Sequence, residues 1–180
     1  DYITLHPGGD GAPYAYYLTA ISHFDQIIDV GREQARSELA LTALNEVIAR
    51  FPESEYARDA ELKRDMVRDQ LAGKDMDIGR YYLRRNEHLA AINRFKRVVE
   101  VYDTTSHAPE ALHRLVEAYL SIGLTSQAQA AAAVLGHNYP GSDWYADSYA
   151  LMTTAGVEVA GRPDEPRGYN TLKSMWNALF

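Results

Sequence analysis

Ile78-Gly79-Arg80-Tyr81-Tyr82, followed by Asn86, Ala91, Phe95, Val98 and Asp103, is matched further on by Leu115-Val116-Glu117-Ala118-Tyr119, followed by Gly123, Ala128, Ala132, Leu135 and Pro140. Each matching position is displaced equally: 119 − 82, 128 − 91 and 140 − 103 all give 37. A fixed displacement with apolar positions at helical spacing is the signature of a helical repeat, and it sets the fold class before any single residue is read.

A tetratricopeptide (TPR) unit, two antiparallel helices in about 34 residues, fits each copy with a slightly long connector. The predicted roles are physical. Gly79 or Val116 is small where two helices approach, and Tyr82 or Tyr119 covers the gap. Asn86 or Gly123 ends the first helix, where a left-handed residue is tolerated. Ala91 and Ala128 sit at the close crossing of the second helix. Asp103 and Pro140 close the unit, because Pro cannot continue a helix. Ala40, Leu44, Val47 and Phe51-Pro52 form the second half of an earlier copy, and Ile3 to His6-Pro7 a remnant of another. Units therefore close near 7, 52, 103 and 140. The expected fold is all-α: TPR-type helical hairpins stacked in a right-handed superhelix over residues 1–156.

Two gaps exceed 37. The one from 52 to 103 carries 14 extra residues, close to four helical turns. Such an insertion lengthens a helix without rotating its buried face. Tyr56, Ala60, Val67, Leu71, Ile78 and Tyr82 share one helical phase, which predicts a single helix from about 55 to 86, roughly 48 Å long. Gly73 could kink it, and two helices joined there are the alternative. The other insertion, residues 23–35, reads as a compact loop that either binds or spaces. From about 157 the repeat breaks. Gly161 to Pro166 reads as a linker. Leu172, Met175, Trp176 and Leu179 then share one helical face, either capping the array or docking elsewhere.

The 180 residues carry a formal net charge of −7, which argues against a nucleic-acid surface. There is no cysteine, so no disulfide, thiolate metal site or cysteine nucleophile. Apolar runs are too short to span a bilayer. His113 and Glu117 have one-turn spacing but lack the rest of a zinc motif. Gly8-Gly9-Asp10-Gly11 is not followed by the Lys of a phosphate loop, and Asp75-Met76-Asp77 lacks the other ligands of a calcium loop. No catalytic, metal or cofactor residues are expected. The excess of tyrosine, 13 in the chain, suits peptide recognition, with Tyr14, Tyr16 and Tyr17 as candidates.

A narrower resemblance rests on Phe51-Pro52-Glu53-Ser54-Glu55-Tyr56-Ala57-Arg58-Asp59-Ala60, on Leu71 to Tyr82 leading into Leu83-Arg84-Arg85, on Ala91-Ile92-Asn93-Arg94-Phe95, on Val99-Glu100-x-Tyr102-x-x-Thr105 and on Glu110 to Tyr119. Over residues 1 to about 152 the chain resembles the BamD (YfiO) family. The extended helix between two repeats is the most specific element of the match. The resemblance implies a piece of a lipoprotein on the periplasmic face of the bacterial outer membrane, held there by a lipid anchor absent from this chain. It implies a non-enzymatic scaffold of the β-barrel assembly machinery. Its partners would be the POTRA domains of BamA, other lipoproteins of the complex and unfolded barrel substrates with a C-terminal signal. Asn93, Arg94 and Arg97 are the implied BamA contacts, Arg94 meeting an acidic side chain without joining the repeat core. Another TPR adaptor of the cell envelope is the alternative.

Overall fold

The computed structural model describes residues 2–6, 8–27, 34–158 and Trp176. Among the described residues the secondary structure is helical: α1 Tyr2–Leu5, α2 Ala12–Phe24, α3 Gln34–Arg50, α4 Glu55–Arg84, α5 His88–Val101, α6 Ala108–Ser121, α7 Thr125–Asn138 and α8 Asp143–Thr154. The 30-residue α4 is one helix, so Gly73 does not divide it. The middle of the 23–35 insertion, and the linker and amphipathic segment expected after 158 apart from Trp176, lie outside the described residues.

The chain forms two compact units, Asp1–Lys74 and Asp75–Phe180. In the first, α2 packs on α3. Ala12, Tyr16 and Ala20, at four-residue spacing, bury one stripe of α2, and Ala40, Leu44 and Val47 bury one stripe of α3. Pro13 sits in the first turn of α2, where its missing N–H costs nothing.

In the second unit, α6 packs against α5, α7 and α8. It is the most enclosed helix: Ala108, Ala111, Leu112, Leu115, Val116 and Ala118 are fully buried. Ala91, Phe95, Tyr119, Ala128 and Leu135 are buried as the repeat register predicts. Tyr82 departs from it. Its ring is half-exposed, because the space over Gly79 is taken by Phe95.

Two local devices recur and explain the repeat. The first helices α4, α6 and α8 end in a left-handed residue: Asn86 at φ 60°, Gly123 at φ 76° and Gly156 at φ 70°. Beyond each, an amide bonds back across the last turn: Glu87 N–H to Tyr82 O, Leu124 N–H to Tyr119 O and Val157 N–H to Met152 O. These are Schellman closures, which satisfy carbonyls that the helix end would leave open. The third lies 33 residues after the second (156 − 123), so α8 ends as α4 and α6 do. Second helices end in an aromatic residue and a hydroxyl turn. Ser54, Thr105 and Ser142 donate to the carbonyls of Phe51, Tyr102 and Tyr139 at 2.8, 2.7 and 2.9 Å. Ser54 and Ser142 also accept from the amides of Ala57 and Tyr145, capping the next helix.

Candidate partner-binding site

Asn93, Arg94 and Arg97 come together. With Tyr82 and Ala90 they line an open cleft of about 270 Å³ on the surface of α5 and the end of α4. The floor is ionic. Asp75, in α4, is 5% exposed. Its two oxygens face two guanidinium groups, Arg94 Nη1 at 3.1 Å and Arg97 Nε at 3.4 Å. Arg94 and Arg97 are three residues apart on α5 and so share a side of the helix. Both side chains are 36% exposed, so part of each planar group faces solvent over an anchored base. That is the geometry a fixed carboxylate receptor needs.

Arg94 is thus tied into the structure more firmly than its sequence position predicts. The expectation was a projecting side chain whose loss leaves folding unchanged. Instead it neutralises a buried charge, and its removal strips one of two cations from Asp75. In the sequence Asp75 stands only in the Asp75-Met76-Asp77 run, which lacks the other ligands of a calcium loop. The available signal was an acidic residue flanked by the core positions Leu71, Ala72 and Met76 of α4.

A second cleft of about 290 Å³ is lined by Arg80, Leu83, Arg84, Arg114 and Glu117. Charges alternate along it. Arg80 bonds Asp77 at 2.7 Å and Glu110 at 2.9 Å. Arg114 reaches Glu110 at 3.4 Å and Glu117 at 2.8 Å, and lies 5.7 Å from the ring centre of Trp144. His113 sits behind this face, 8% exposed, with Nδ1 2.8 Å from Ser148 Oγ and its ring 5.3 Å from Trp144. Burial holds its imidazole below the ordinary value, and Arg114 pushes in the same direction.

The three tyrosine candidates separate. Tyr16 turns inward, 9% exposed, 5.4 Å from the ring of Phe51. Tyr14 and Tyr17 turn to the opposite side and flank Tyr56, at 5.5 and 5.2 Å between ring centres. Tyr17 donates its hydroxyl to Asp59, which pushes the phenol up to about 12. Tyr14 is half-exposed and Leu18, one turn along, similarly so. Among the described residues no cluster of His, Asp or Glu could hold a metal ion, and no helix is long and apolar enough to cross a membrane.

Comparison with known proteins adds the family. The family model described as YfiO, outer membrane lipoprotein, matches residues 1–135. A Caulobacter vibrioides protein named outer membrane protein assembly factor BamD is 57% identical over 162 residues, 90% of this chain and 53% of that protein. A Rickettsia prowazekii protein of the same name is 48% identical over 151 residues, 84% of this chain and 60% of that protein. One from Neisseria meningitidis serogroup A is 31% identical over 148 residues. The chain spans about half the length of the curated relatives it matches. Helical hairpins, the uninterrupted α4 and these matches agree: the chain belongs to the BamD (YfiO) family of outer membrane proteins.

Proposed function

We propose that this chain is a non-enzymatic scaffold of outer-membrane protein assembly, and that the Asn93–Arg94–Arg97 cleft receives an acidic side chain from the POTRA region of BamA. The observation that carries this reading is the sharing of one buried carboxylate, Asp75, by two guanidinium groups beside an open cleft. The name of this chain's relatives, outer membrane protein assembly factor BamD, supports the setting. That setting is the periplasmic face of the outer membrane, with attachment through a lipid anchor on the longer protein. Half-exposed Tyr14, with Tyr17 on the other side of Tyr56, is the second contact surface, offering aromatic rings to an extended substrate segment.

The test is the affinity of Arg94→Ala and Arg97→Ala for a BamA POTRA fragment, with melting temperatures measured alongside. A charge-paired contact left half-buried costs about 2–5 kcal/mol of binding. Arg94→Lys keeps the charge that Asp75 needs but loses the fork, so it separates recognition from folding. If Arg94→Lys binds as well as the parent and Arg94→Ala loses affinity only in step with its melting temperature, the cleft is not the contact.

A further inference from the structure

Trp176 is seated against the end of α5. It is 2% exposed. Its indole N–H donates to Glu100 Oε1 at 3.3 Å, and Lys96 Nζ lies 5.9 Å from the ring centre. Lys96 and Glu100 also pair with each other at 3.7 Å, one turn apart on α5. A buried indole with its N–H satisfied is an anchor, since burying so large a ring against a protein surface contributes a few kcal/mol.

The position of this seat matters. Asn93, Lys96, Arg97 and Glu100 follow the i, i+3, i+4, i+7 pattern and form one stripe of α5. The indole therefore occupies the same stripe as Asn93 and Arg97 of the arginine cleft, about one helical turn or 5 Å further along. A specific protein partner covers about 800 Å² on each side, a patch with a radius on the order of 15 Å. A partner of that size centred on Arg94 and Arg97 reaches Lys96 and Glu100.

We propose that Trp176, seated on Lys96 and Glu100, is a competitor in cis for the partner face of α5. The proposal rests on the reading of the arginine cleft as a protein contact. In the free chain the indole holds the Lys96–Glu100 end of the stripe. A partner engaging the whole stripe must displace it, so part of the partner's binding energy goes into releasing the indole.

The experiment uses the full chain with 5-fluorotryptophan at its two tryptophans, the resonances assigned with Trp144→Phe. A BamA POTRA fragment is titrated in while the fluorine signal of Trp176 and its solvent isotope shift are followed. Affinities of the parent and Trp176→Ala are measured in parallel. The proposal expects the Trp176 signal to move to a solvent-exposed position on binding, and Trp176→Ala to bind about 3–10-fold more tightly. Binding with Trp176 still shielded and affinity unchanged overturns the competition and leaves the cleft reading intact. Weaker binding by Trp176→Ala also overturns it, because the indole is then part of the interface. No binding by either form overturns the cleft reading and the competition with it.

Discussion

Phe95 occupies the space where a side chain on Gly79 would begin: a Cβ placed there would stand 2.4 Å from Phe95 Cε1 and 2.8 Å from Cζ. Phe95 is fully buried, so the ring has nowhere to retreat. Gly79→Ala is expected to destabilise the second unit by about 1–3 kcal/mol through overpacking. Gly141 is the control, since nothing lies within 4 Å of its Cβ direction. Gly141→Ala should leave the urea midpoint unchanged or slightly raised, and the two variants measured together check the prediction.

Asp75 depends on both of its arginines. Arg94→Ala or Arg97→Ala alone leaves one cation on the buried carboxylate, and each should cost about 1–2 kcal/mol of stability. The double variant leaves the charge uncompensated and should cost about 3–5 kcal/mol. Introducing Asp75→Asn into the double variant should restore part of that loss, because the buried group is then neutral. Denaturant titration of the four proteins tests this, and simple additivity without rescue by Asp75→Asn would refute it.

His113 makes stability depend on pH in a defined direction. Its folded-state pKa lies below the ordinary 6.5, chiefly through burial and then through Arg114, with Glu117, Asp147 and Glu110 pulling weakly the other way. The unfolded chain therefore binds more protons below pH 6.5, and stability contributed by neutral His113 is present above that pH and is lost as pH falls beneath it. Melting temperatures of parent and His113→Gln should diverge at pH 7.5 and converge toward pH 5. Equal pH slopes for the two proteins would remove His113 as the cause.

Tyr17 should titrate late. The bond to Asp59 raises its folded pKa to about 12 from 10.0. Because the folded value lies above the unfolded one, the stability it contributes is complete below pH 10 and lost as pH rises through the folded value. Tyr17→Phe should remove one phenol from the high-pH end of an ultraviolet titration and lower stability at pH 7 by about 1 kcal/mol. A titration curve that loses its phenol near pH 10 instead would show that the Asp59 bond does not persist in solution.

What the sequence made legible follows the range of each interaction. Asn86 and Gly123 were readable because a left-handed helix end restricts residue type at one position. The unbroken α4 was readable because its apolar phase continues through the inserted turns. Three features lay beyond that reach. The choice of Phe95 rather than Tyr82 to cover Gly79 is a matter of side-chain direction between two helices. Asp75 and Arg94 are 19 residues apart, with nothing local to connect them. Trp176 meets Glu100 across 76 residues. The cleft residues were thus named by resemblance, while the carboxylate that organises them needed the structure.

The hydroxyl turns at Ser54, Thr105 and Ser142 each close over only three residues. A connection that holds itself shut locally need not wait for distant chain to arrive. Loop-closure entropy is then small at these three junctions, and the helices they join can nucleate locally and recruit their neighbours. Such a chain is expected to fold quickly and in any order. A polypeptide that reaches its destination unfolded could begin to assemble from whichever end is released first.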